Sequence, residues 1–233
     1  MKNSQKIMKK IILLMFLLLP VICYAEQARN LELIDVPTAN TLVKGEVRYD
    51  AKFYMGGGIL NRIYVGVFDR LMIGCGINID NLIGSGDVTV TLPPAFLGKI
   101  RLTDDKDAIP AITVGYEGVG YLDSPAKGAF LAMTKEIGMG GTYLQLTGDV
   151  YTDEFTHFGR DLTVAAGLAA ALTKDFIISS EYDGILQKDY SHVNLGIGYF
   201  FDPIEISLGI KYGLGDDDVK LARILKVLYI NYF

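Results

Sequence analysis

The stretch KGEVRYDAKFY, residues 44–54, sets a charged side chain at every second position, with Val47, Tyr49, Ala51 and Phe53 between them. Period two is the signature of a strand, whose successive side chains point to opposite faces. The same division recurs along the chain. In LMIGCGINI (71–79) Leu71, Ile73, Cys75, Ile77 and Ile79 oppose Met72, Gly74, Gly76 and Asn78, and in IEISLGIKYG (204–213) five bulky residues oppose Glu205, Ser207, Gly209, Lys211 and Gly213. One face is bulky and apolar; the other is small or polar. Helical periodicity of useful length is missing, and the alternation predicts about twelve strands, near 43–54, 59–68, 71–79, 96–103, 109–119, 127–135, 141–150, 161–173, 175–184, 190–201, 203–213 and 221–233.

The connections alternate in length. Those at 69–70, 173–175 and 201–203 are tight, and those at 78–95, 151–161 and 182–192 are long; the short MGGG at 55–58 breaks the scheme. An even number of strands with short turns at one end and long loops at the other is the pattern of an all-β, antiparallel up-and-down transmembrane β-barrel. In that fold the bulky rows face lipid. Lys44, Glu46, Arg48, Asp50, Lys52, Lys99, Glu117, Glu205 and Lys211 then point into the lumen, and their mixed signs imply weak ion selectivity in any open pore. Aromatic residues sort into two expected girdles, Phe68, Phe176, Phe201 and Phe233 at the tight-turn end and Tyr54, Tyr116, Tyr182 and Tyr212 at the other. The inward rows are rich in glycine and alanine, which leaves room in the lumen for an occupant. The expected occupant is the connection 81–94, whose Leu82, Ile83 and Val88 are apolar for a solvated loop.

The ends of the chain fit the same architecture. Lys2, Lys6, Lys9 and Lys10 precede an apolar run from Ile11 to Leu19, and CYA at 23–25 supplies a cleavage site, so residues 1–25 read as a secretory signal peptide. Residues 26–42 are expected to form a short periplasmic segment and 43–233 the barrel. Cleavage would leave 233 − 25 = 208 residues with 22 − 4 = 18 basic against 27 acidic side chains, a net charge of −9 that argues against nucleic acid as a partner. Cys75 would be the single remaining cysteine, so no intramolecular disulfide is available. The C-terminal LKVLYINYF resembles the insertion signal of bacterial outer-membrane barrels, with Tyr229 and Phe233 as its aromatic positions. The expected partners are therefore outer-membrane lipid and the barrel assembly machinery.

Catalytic chemistry finds little support. His157 and His192 fall on expected external loops without a nucleophile motif, GDDD at 215–218 lacks the alternating ligands of a calcium loop, and the glycines of EIGMGG precede no helix. No catalytic, cofactor-binding or metal-binding residue is assigned. The alternatives to a structural or narrow-channel barrel are a soluble β-sandwich binding module and a barrel hydrolase.

The phrases DVPTANTL (35–42), NLIGSGDV (81–88), PAITVGYEGVGY (110–121), KGAFLAMTKE (127–136) and EYDG (181–184) resemble the YjbH-like outer-membrane barrels. That resemblance implies a bacterial outer-membrane location and, through one branch of the family, an association with exopolysaccharide production and export.

Overall fold

The computed structural model describes residues 30–122, 124–139, 142–152, 162–185, 187, 190–214 and 221–233. They form thirteen strands: β1 (Glu46–Tyr54), β2 (Gly58–Phe68), β3 (Leu71–Asp80), β4 (Thr89–Val90), β5 (Ala95–Thr103), β6 (Ala111–Glu117), β7 (Gly128–Met139), β8 (Thr142–Thr152), β9 (Thr163–Ala171), β10 (Phe176–Asp183), β11 (His192–Phe201), β12 (Ile204–Gly213) and β13 (Leu221–Tyr232). With β4 set aside, each strand pairs antiparallel with the next one along the chain, β3 with β5 included, and β13 returns to pair with β1, so these twelve close into a barrel. The twelve strands expected from alternation are the twelve staves of this barrel. The additional β4 is a two-residue strand that extends β3 through Ile79↔Val90, with Thr91 N–H donating to the Asn78 carbonyl at 2.9 Å.

The pleat separates the side chains as the alternation requires. In β1, Glu46, Arg48, Asp50 and Lys52 are buried inside, while Tyr49 lies on the outer surface. Ile73, Leu131, Leu168, Leu195, Leu208 and Leu225 are exposed on the outside of their strands. Among the outward-facing strand positions the charged residues are Arg223, near the start of β13, and Lys135, which lies beyond the end of the β6 ladder and pairs with Asp105 of the β5–β6 connection. Cys75 is a free thiol on this outer surface. The tight connections 69–70, 172–175 and 202–203 share one rim with the start of β1 and the end of β13, and 81–94 and the described residues of 118–127 and 184–191 occupy the opposite rim.

The lumen is occupied, but by a different segment from the one expected. Residues 30–42 fold into a tight hairpin inside the barrel, closed by Leu33 N–H to the Val36 carbonyl (2.9 Å), Thr38 N–H to the Leu31 carbonyl (3.0 Å) and a bridge between Glu32 and Pro37. Leu31, Ile34 and Leu42 pack with the inward-facing Leu60, Tyr64, Met72 and Leu97. This segment was expected as a periplasmic lead-in; instead it carries apolar groups into the barrel and has backbone amides that wall residues can satisfy. Leu82, Ile83 and Val88 are 48, 67 and 56% exposed and do not enter the mouth. Their connection folds against the β1–β2 turn, where Ile83 N–H donates to the Gly57 carbonyl at 3.0 Å. Tyr54 also departs from its expected girdle position. It points inward, packs against the Tyr121 ring in a tilted pair with centroids 5.2 Å apart, and donates to Asn78 Oδ1 at 2.8 Å.

Small inward residues make the space for the hairpin. A Cβ on Gly196 would meet Ile34 Cδ1 at 3.0 Å, and one on Gly209 would meet Ile34 Cγ2 at 3.4 Å. Gly45 then turns the chain from the lumen into β1 with φ of +83°; its N–H donates to the Gly66 carbonyl (2.9 Å) and its carbonyl accepts from Phe233 N–H (3.0 Å). A side chain in that left-handed conformation costs about 1–2 kcal/mol. Gly45→Ala is therefore expected to lower stability by that amount in equilibrium urea unfolding, whereas Gly56→Ala, at a turn with open space around it, tests the backbone conformation without the closure.

Candidate functional site in the barrel lumen

The candidate site is the contact between the hairpin tip and the barrel wall. Its backbone amides turn to one wall: Ile34, Asp35 and Val36 donate to the Glu181 carboxylate on β10 at 3.1, 2.8 and 3.0 Å. Three successive N–H groups converging on one anion satisfy donors that a buried turn would otherwise leave unpaired. Asn194 on β11 donates to Glu181 Oε1 at 2.5 Å and orients it.

Its carbonyls and carboxylates turn to a different arc of wall. Lys52 on β1 donates to the Ile34 carbonyl (2.8 Å) and pairs with Asp35 (3.0 Å) and Glu32 (3.2 Å). Lys226 on β13 pairs with Glu32 (3.0 Å) and donates to the Leu33 carbonyl (3.1 Å). Lys211 on β12 pairs with Asp35 at 3.2 Å, and Arg62 on β2 grips both oxygens of Glu32 while also holding Asp50 and Glu117, each at 2.7 Å. Lys99 on β5 donates to the carbonyls of Leu31 and Thr38. Nearer the tight-turn rim, Thr113 donates to the Ala39 carbonyl at 2.6 Å and Ala39 N–H to Thr134 Oγ1 at 2.7 Å.

Burial by itself pushes Glu32 toward protonation, but the facing Arg62, Lys226 and Lys52 outweigh it and hold the carboxyl well below the usual range. Asp35 behaves alike: burial opposes ionisation, while Lys211, Lys52 and the hydrogen bond from Tyr121 overcome it and depress its pKa. Burial and the Asp35 charge keep the Tyr121 phenol protonated far above its ordinary range, so it remains a donor. Cavities of about 30, 20 and 10 Å³ remain beside the hairpin. A water needs about 10–15 Å³, so these hold a few waters and no larger solute.

Of the residues assigned to the lumen from sequence, Glu46, Arg48, Asp50, Lys52, Lys99 and Lys211 are buried inside, and Glu117 and Glu205 are partly buried. Lys44 is exposed at the rim, because the turn at Gly45 interrupts the alternation before β1 begins. Tyr229 and Phe233 stand on the outer surface, Tyr229 in β13 and Phe233 at the chain end. His157 and GDDD lie outside the described residues. His192 lies inside the barrel, edge-on to the Tyr190 ring at 4.7 Å. Sequence reasoning missed Glu32, Asp35, Arg62, Glu181 and Lys226. For Arg62, Glu181 and Lys226 the signal was present, since each is a charged residue inside an otherwise apolar or small alternating strand.

No family model matches the chain, and no curated protein matches it. Among solved structures, Wzi, described as an outer membrane protein involved in group 1 capsule assembly in Escherichia coli and a carbohydrate-binding β-barrel, is similar at 9% identity and a TM-score of 0.36, over 76% of this chain and 52% of that one. The chain thus spans about half the length of Wzi. OmpF of Salmonella typhi is similar at 8% identity and a TM-score of 0.30, over 80% of this chain and 96% of that one. A porin variant from Rh. blastica gives 9% identity and a TM-score of 0.26, over 80% and 98%.

Because the folded pKa values of Glu32 and Asp35 are depressed, their stabilisation is fully present above the unfolded values, about 4, and is lost as pH falls through the folded ones. The stability lost on Glu32→Gln, read by urea unfolding, should stay constant from about pH 8 to 5 and shrink only below about pH 4. Glu181→Gln weakens the acceptor that the Ile34, Asp35 and Val36 amides share and should reduce their protection from hydrogen exchange by roughly tenfold at neutral pH, about 1.4 kcal/mol for replacing a charged acceptor by a neutral one.

Proposed function

We infer that the chain is an integral outer-membrane β-barrel protein without catalytic activity, whose own N-terminal hairpin closes the lumen to solutes larger than water in the state described. The observation that carries this reading is the distribution of charge. The outer surface of the twelve staves is an apolar belt whose charged exceptions are Arg223 near the start of β13 and Lys135, paired with Asp105 of the β5–β6 connection, while buried ions line the inside. A soluble sandwich has the inverse arrangement, and a barrel in lipid requires this one. Closure of the sheet supports it further, since an open edge has no partner for its backbone groups in hydrocarbon.

On this reading Tyr229 and Phe233 serve the assembly machinery and the lipid interface, and the barrel is structural or becomes a narrow passive channel when the hairpin leaves. The resemblance to YjbH-like barrels adds a place in exopolysaccharide export, in which the barrel would be an envelope component. Loss of polymer from the medium on deletion of the gene, restored by the intact chain, checks that association.

The membrane reading is tested by fractionation. The protein should stay with membranes in alkaline carbonate and show heat-modifiable gel mobility; release by carbonate as a compact soluble species would refute it. Sidedness follows from the same belt. Leu208, in mid-β12 and 54% exposed, faces lipid, so Leu208→Lys should cost about 2–4 kcal/mol in unfolding from bilayers. Ser207→Lys, on the inner face beside Glu205, should cost less.

A further inference from the structure

Lys52 and Lys226 are direct cross-strand partners in the β1–β13 pair, and both point into the lumen with almost no solvent exposure. Like charges placed opposite one another destabilise a sheet, and more so where water is excluded. Lys211, on β12 at the next strand over, adds a third buried ammonium. Among the described residues, the carboxylates within ion-pair distance of these three lysines are Glu32 and Asp35, both supplied by the hairpin. Arg62, by contrast, keeps Asp50 and Glu117 from the wall itself. The barrel therefore builds a tri-lysine pocket whose direct ion-pair partners, among the described residues, come from the hairpin and not from the wall, and the hairpin fills it with two carboxylates.

The hairpin is an incomplete complement to the rest of the lumen. Gln145 and Asp149 on β8 are buried with side-chain polar atoms that find no partner among the described residues. Buried polar groups are ordinarily paired, so the cavity wall offers contacts that its present occupant does not use.

We propose that Lys52, Lys211 and Lys226 form a binding site for small polycarboxylates, and that such an anion competes with Glu32 and Asp35 and releases the hairpin from the lumen. This rests on the membrane-barrel reading above. Release is coupled to binding because one pocket cannot hold both sets of carboxylates, so the anion acts as the opening ligand.

The test uses the full chain reconstituted in vesicles, with Cys23→Ser and Cys75→Ser removing both native thiols and Val36→Cys placing a reporter on a hairpin residue that is fully buried when docked. Citrate is the probe, and a membrane-impermeant maleimide reads exposure of the reporter. Citrate should accelerate labelling at least about fivefold, within the usual range of coupling between sites, over sodium chloride of equal ionic strength. Lys226→Gln or Lys211→Gln should abolish the acceleration, while Lys135→Gln at the rim should retain it. Heat-modifiable mobility, checked for every variant, separates misfolding from loss of the site, and carbonate extraction of the same sample reports separately on the membrane reading. Equal labelling in citrate and chloride, or an undiminished citrate response in both folded lysine variants, overturns the proposal. So does acceleration by a synthetic peptide of residues 30–42 carrying Glu32→Gln and Asp35→Asn with no response to citrate, which would mean that the pocket reads peptide backbone and not carboxylate.

Discussion

The structure turns on one electrostatic constraint: two ammonium groups, Lys52 and Lys226, face each other across the seam where the last strand meets the first. Inside a barrel with little water that juxtaposition is tolerable only with an anion between them, and Glu32 lies within 3.2 Å of one and 3.0 Å of the other. From this follow the depth of the hairpin, the placing of Asp35 between Lys52 and Lys211, and the turn of its amides toward Glu181. An uncompensated buried charge costs several kcal/mol, so the wall and the hairpin stabilise one another and neither set of ions is comfortable alone.

The signs along the wall are mixed unevenly. Lys211, Lys226, Arg48, Lys52, Arg62 and Lys99 come from the consecutive run β12, β13, β1, β2 and β5, with β3 contributing no cation; that run also carries Glu46, Asp50 and Glu205, whereas β8 and β10 carry Asp149, Glu181 and Asp183 and no cation. Inward-facing strand cations are thus confined to one side of the lumen. A peptide hairpin is suited to such a space because it carries donors and acceptors on different sides of its backbone, and the two arcs of wall divide them.

Most of the barrel was legible because period two is a strong and repeated signal. Each stave contributes its own alternation, and the strand ends deviate by a few residues at most, as where β7 runs on to Met139 and β6 stops at Glu117. The rule that assigned Arg48 and Lys52 to the lumen also applies to Arg62 and Lys226, so half of the site was within reach of the sequence. The other half was not. ELIDVPTAN has no period because its hairpin belongs to no ladder, and its docking depends on partners such as Glu181, some 146 residues away from Asp35 in the chain. Leu82, Ile83 and Val88 misled for the complementary reason: apolarity favours leaving water without dictating where, and here the three side chains stay exposed at the rim while the lumen is filled by another segment. The glycine-rich inner rows did report the space, and the same physical feature, a missing Cβ at Gly196 and Gly209, is what Ile34 fits against.

The hairpin joins β1 through Gly45 and reaches past it to the last strand. Glu32 pairs with Lys52 on β1 and with Lys226 on β13, so one carboxylate clasps the two strands whose pairing closes the ring. A circular permutant that moved residues 30–42 behind Tyr232 would carry the same counter-ion from the β13 side, keeping the ions of the clasp and changing the strand that holds it.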